Sequence, residues 1–85
     1  MQDIFSLIWR ARVVVCDFTG RNANVFYEAG IAHTLSKPVV PITQQKADVP
    51  FDLQHHRFLQ YLANREGLED LLERLAKRLQ TLLGK

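Results

Sequence analysis

Apolar positions along the chain change their spacing several times, and each change marks an element. In residues 3–11, Ile4, Ile8 and Ala11 recur at helical spacing with Phe5 and Trp9 beside them. This predicts a short helix with Asp3 as N-cap. Residues 13–18 form a continuous, largely β-branched run, the pattern of a strand covered on both faces. Residues 24–36 read as a second helix, capped by Asn22 or Asn24. Val39 to Thr43 reads as a second strand. Pro38 suits its first position, and Pro41 is expected at an edge, a bulge or an early strand end. Residues 44–56 are mostly loop, with a turn over Pro50, Phe51, Asp52 and Leu53. A third strand, with a weaker pattern, is expected over residues 57–62.

The sharpest periodicity lies in residues 66–83. Leu68, Leu71, Leu72, Leu75, Leu79, Leu82 and Leu83 follow helical spacing. Acids (Glu66, Glu69, Asp70) gather at the start and bases (Lys77, Arg78) toward the end, both favourable to the helix dipole. Asp70 with Arg74 and Glu73 with Lys77 stand four apart in the favourable order. Gly84 suits the C-terminal cap. Such a stripe packs a core or meets a partner helix.

Helix, strand, helix, strand, strand, helix is the order of an α/β domain. The expected architecture is a small, mainly parallel three-stranded sheet with helices on both faces, a partial flavodoxin-like (Rossmann-like) fold. The 85 residues allow one domain, spanning 1–85. An apolar fraction of 47% and a charged fraction of 24% are those of a folded globule. A net charge of +2, with signs interspersed, does not favour a nucleic-acid polymer as partner. No apolar run approaches the roughly 20 residues of a membrane span, and Arg10 and Arg12 break any leader pattern, so a cytoplasmic location is expected. The single cysteine, Cys16, lies within the apolar run and reads as a core residue.

Candidate chemistry gathers where the first strand runs into the second helix, the place where open α/β sheets bind ligands. Asp17 stands at the strand's carboxyl end, able to cap the turn or to accept a hydrogen bond from a sugar hydroxyl. Thr19, Gly20, Arg21 and Asn22 form a turn, in which Gly20 allows positive φ or close approach of a ligand. A phosphate beside this turn would gain from the helix N-terminus and from Arg21. The glycine and lysine spacing of a P-loop is absent. Glu28 would fall in the first full turn if Asn24 is the cap. There it is either a cap-type glutamate or a carboxylate nucleophile among Val25, Phe26, Tyr27, Ala29 and Ile31. Gly30, inside the helix, suggests close packing against a strand or ligand. Tyr27, His33, His55 and His56 read as structural, and no metal-ligand spacing accompanies the histidines.

The block Asp17-Phe18-Thr19-Gly20-Arg21-Asn22-Ala23-Asn24-Val25-Phe26-Tyr27-Glu28-Ala29-Gly30-Ile31-Ala32-His33, followed by Lys37-Pro38-Val39, resembles the nucleoside 2-deoxyribosyltransferase-like superfamily, and its small TIR-like bacterial branch most. The resemblance implies a flavodoxin-like fold and N-glycosidic chemistry on a nucleoside, nucleotide or related cofactor. It implies that Glu28 attacks the anomeric carbon and that Asp17, Thr19, Gly20, Asn22 and Asn24 bind substrate. It implies no cofactor and no metal. A carboxylate suits this chemistry because breaking the bond builds oxocarbenium character, as in retaining glycosidases.

Relatives of that kind begin with a further strand and helix, and often carry an acid where Arg12 stands. The chain is therefore expected to be truncated at its amino end, with an open strand edge at residues 13–18. Cover for that edge is expected from a homo-oligomer or from the rest of a longer protein. The alternative to an enzyme is a nucleotide-binding or protein-interaction module built on the same fold.

Overall fold

The computed structural model describes residues 4–49 and 57–84. Asp3, the turn expected at 50–53, His55 and His56 lie outside the described residues. The elements are α1 (Ile4–Arg10), β1 (Val14–Asp17), α2 (Ala23–Thr34), β2 (Val39–Thr43), β3 (Leu59–Gln60) and α3 (Arg65–Leu83), with 3-10 turns at Thr19–Arg21 and Lys46–Asp48. The strands form one sheet in the order β1-β2-β3. Both pairings are parallel, with Val14 opposite Val39 and Ile42 opposite Leu59. The expected α/β architecture, a three-stranded parallel sheet with helices on both faces, is the one observed.

Alternation along the strands sorts the core into two halves. Cys16, Phe18, Ala29 and Val49 pack on the α2 side, with Val14, Val25 and Val39 against them. Val40, Ile42, Leu59, Tyr61 and Leu71 pack on the α3 side, with Val13 and Leu75 against them. Phe18 is fully buried and meets the Phe26 ring at 5.5 Å between centroids. α1 lies on the α2 side, where the Lys37 ammonium stands 5.7 Å from the Trp9 ring centre.

The helix ends follow local chemistry. The Asn22 side chain accepts the Asn24 N–H at 2.8 Å, so Asn22 caps α2. At the other end the Ser36 N–H reaches His33 O and the Lys37 N–H reaches Ala32 O, with Ser36 at φ 59°. This is a Schellman closure with serine where glycine is usual. It stops α2 at Thr34, two residues before the expected end. α3 starts one residue earlier than expected, because Asn64 caps it through the Gly67 N–H. It ends at Gly84 in the left-handed conformation, as the sequence implied.

Two expectations fail for identifiable reasons. Pro41 occupies the middle of β2, the central strand, rather than an edge. Even-numbered residues of β2 bond to β1, as Pro38 O and Ile42 O show. Odd-numbered ones face β3, where Thr43 O accepts the Tyr61 N–H. In that ladder the N–H missing at Pro41 is the one that would reach Arg57 O. Pairing therefore begins only at Leu59, and the expected third strand shrinks to two residues. Arg57 O is served instead by Arg78 Nη1 at 3.1 Å. Gly30 does not pack against a strand, one of the two partners expected for it: it lies on an exposed face, with nothing within 4 Å of the position a Cβ would take. Helix interior at this site needs no glycine for packing.

The leucine stripe of α3 splits. Leu71 is buried and Leu75 and Leu79 are half-buried against the sheet, whereas Leu68, Leu72, Leu82 and Leu83 are exposed, Leu72 at 69%. Val15 in β1 is also exposed, at 41%. No strand pairs with the outer edge of β1 among the described residues. No described helix is long and apolar enough to cross a membrane.

Two glycines in helices should respond oppositely to alanine. A Cβ at Gly67 would collide with the Leu62 carbonyl, so Gly67→Ala is expected to cost about 1–3 kcal/mol. Gly30→Ala should stabilise by about 0.5–1 kcal/mol. Thermal or urea unfolding of both variants reads the two signs.

Candidate functional site

The candidate site is organised around the Asp17 carboxylate at the end of β1. Oδ1 accepts the Thr19 N–H at 3.0 Å and the Thr19 hydroxyl at 2.6 Å. Oδ2 accepts the Tyr61 hydroxyl at 2.5 Å. Thr19 Oγ1 in turn accepts the Gln44 N–H at 2.9 Å, just past β2. One carboxylate thus ties together the carboxyl ends of all three strands. Burial pushes the Asp17 carboxyl up, but the hydrogen bonds from the Thr19 and Tyr61 hydroxyls and from the Thr19 N–H outweigh it. The group titrates below its ordinary value.

Gly20 and Arg21 both have positive φ, 77° and 57°. The turn needs glycine at position 20, and Arg21 is held in the left-handed region by its bonds. The Gly20 N–H donates to Asp48 Oδ2 at 2.9 Å. Arg21 Nε donates to Asp48 Oδ1 at 3.3 Å and Nη2 donates to Ala47 O at 2.9 Å. The anion seat anticipated beside Arg21 is therefore filled from within the chain, by the Asp48 carboxylate. Asn22 spends its side-chain oxygen on the helix cap. The Asn24 side chain is exposed and makes no hydrogen bond among the described residues.

Glu28 stands apart from this cluster. Because Asn22 rather than Asn24 caps α2, Glu28 is the sixth residue of the helix and lies in its second turn. The dipole of a helix end fades within the first turn, so it contributes less here than the sequence suggested. The side chain is half-buried and carries no hydrogen bond or ion pair with a described residue. It lies close enough to Cys16 to act on it. Burial pushes the Cys16 thiol up to about 11, and the Glu28 charge adds to this. A buried thiol of that kind is a core residue and no nucleophile. Cys16 and Asp17 project from opposite faces of β1. Glu28 therefore lies on the α2 side of the sheet, while Asp17 turns to Tyr61 on the α3 side.

The structure brings Asp17, Thr19 and Gly20 into one bonded unit with two residues that sequence reasoning passed over, Tyr61 and Asp48. Tyr61 had a usable signal, since it directly follows the third strand and so stands at the ligand-binding end of the sheet. Asp48 had none, because nothing in the chain marks a residue 28 positions away as partner to Gly20. Tyr61 also lines a cavity of about 490 Å³ between β3 and α3, with Gln60, Asn64, Glu66, Asp70 and Arg74. None of Asp17, Thr19, Gly20, Asn22, Asn24 or Glu28 lines it. Among the described residues no three His, Cys, Asp or Glu side chains converge as metal ligands.

Asp17 holds its proton less readily folded than unfolded. Its stabilising effect is therefore complete above the ordinary aspartate range near pH ~4, and is lost as pH falls through its lowered value. Tyr61→Phe is expected to lower stability at pH 7 by about 1 kcal/mol. It should also flatten the loss of melting temperature in acid. Parallel acid slopes for wild type and variant would contradict the assignment.

No protein-family model matches this chain, and no curated protein or solved structure matches it either.

Proposed function

We propose that the chain acts on the N-glycosidic bond of a nucleoside, nucleotide or related cofactor, with Glu28 as the nucleophile. The observation that carries this reading is Glu28 itself. It is a half-buried carboxylate with no partner among the described residues, on a helix packed against the edge strand of a parallel sheet. Thr19, Gly20, Arg21 and Asn22 have hydrogen bonds committed to the fold, whereas the Glu28 side chain makes none with a described residue.

In the proposed reaction a Glu28 oxygen bonds to the anomeric carbon as the bond from that carbon to the base nitrogen breaks. The base leaves with the electron pair and takes a proton from water. Water then opens the glycosyl ester for hydrolysis, or a second base does so for transfer. The carboxylate also offsets positive charge building on the sugar ring before the bond forms. The Asn24 side chain is free to meet the sugar. Among the described residues Asp17 Oδ2 accepts only the Tyr61 hydroxyl, which leaves a lone pair for a ligand hydroxyl. Thr19, Gly20 and Asn22 support the site by fixing the turn that leads into α2, whose first turn carries Asn24.

Free-base release from a panel of nucleosides, nucleotides and NAD tests this directly. Wild type should release base from at least one of them, and Glu28→Gln should reduce the rate by at least about a hundredfold. Equal rates for the two proteins would remove Glu28 from the chemistry.

A second reading has its own observation. The edge of β1 that no described strand pairs with, exposed Val15 and the exposed half of the α3 stripe form apolar surface that no described residue covers. On this reading the chain is a self-associating or partner-binding module, and base release is absent. Sedimentation at micromolar protein should show a homo-oligomer that Leu72→Glu dissociates, while Glu73→Gln leaves it intact. A stable wild-type monomer overturns self-association.

A further inference from the structure

We propose that the amino-terminal end of the sheet holds a second ligand site, one that takes a phosphate monoester with an apolar body. A cavity of about 310 Å³ opens there, at the start of β2 and just before β3. That size is at the lower end for small-molecule sites. It lies at the opposite end of the strands from Asp17 and shares no residue with the site described above.

Its lining pairs two chemistries. Lys37, Arg57 and Arg78 bring three cations to it, and Ala29, Val39 and Leu82 supply an apolar wall. Among the described residues no acidic side chain lines it. His33 also borders it and adds no negative charge.

The charge balance selects the ligand. Three cations set +3 around one small space. The carboxyl-terminal ends of α2 and α3, which lead into Lys37 and carry Leu82, offset about half a charge each. About two positive charges are then left without a counterpart among the lining groups. A phosphate monoester carries about −1.5 to −2 at neutral pH and matches that remainder. A monocarboxylate leaves half of it unmet.

Two of the cations are positioned by the fold. Arg78 Nη1 is anchored on Arg57 O, which Pro41 leaves without a ladder partner. That leaves the other guanidinium nitrogens of Arg78 as donors. Lys37 stands against the Trp9 ring, 5.7 Å from its centre, a contact that orients the ammonium. Arg57 has no side-chain hydrogen bond or ion pair among the described residues. The apolar wall then favours an ester over inorganic phosphate.

Titration of the ¹⁵N-labelled full chain with phenyl phosphate, inorganic phosphate and benzyl alcohol tests the site. Phenyl phosphate should shift the amide signals of Ala29, His33, Lys37 and Val39, and bind more tightly than either control. Arg57→Gln and Lys37→Gln should each weaken it by about tenfold. Both side chains reach the cavity from the surface, and an unchanged melting temperature in each variant confirms that the fold is intact. Equal affinity for inorganic phosphate, unchanged binding by both variants, or shifts confined to residues 19–24 would each overturn the assignment. Base release by wild type is unaffected by any of these outcomes, so the two sites are judged separately.

Discussion

The carboxylate of Asp17 is the interaction on which the upper end of the sheet depends. A three-stranded parallel sheet with a two-residue third strand has few ladder bonds. Its strands would splay at the carboxyl end without a cross-link. Asp17 supplies one by accepting from Thr19 and Tyr61, and Thr19 extends it by accepting from Gln44. The bonds are charge-assisted and short, the kind that outweigh partial desolvation.

That arrangement shows why a residue type at the right place in a fold is a weak guide to its task. Asp17 stands at the carboxyl end of β1, where α/β enzymes place ligand-binding acids. Its bonding is nonetheless spent mostly on the chain itself. The same holds for Gly20, Arg21 and Asn22. Glu28 differs because it is half-buried and makes no hydrogen bond or ion pair with a described residue, so its carboxylate is not committed to holding the fold.

Much of the architecture was legible along the chain. β1 and β2 announced themselves through β-branched runs, and α3 through a leucine stripe whose helical spacing is right even though only part of it is buried. The ends of elements were less legible because caps decide them. Asn22 and Asn24 are equally good caps on paper, and the choice between them moves Glu28 from the first turn to the second. Ser36 closes α2 in a role that glycine usually announces. Pro41 fits a central strand because the rule against proline there concerns its missing N–H, and at this position an N–H would face Arg57, before β3 begins. The bonds from Gly20 to Asp48 and from Asp17 to Tyr61 span 28 and 44 residues, a separation over which no local pattern carries information.

The Asp48 carboxylate has a kinetic meaning beyond its geometry. Tethered by its own chain, it faces the Gly20 amide and the Arg21 guanidinium at an effective concentration on the order of millimolar or above. Any free anion that reached the turn would have to compete against a rival that never diffuses away. The turn therefore behaves as a latch closed by the protein's own charge. Binding there would register first as release of residues 46–48, before it registered as occupancy of the turn.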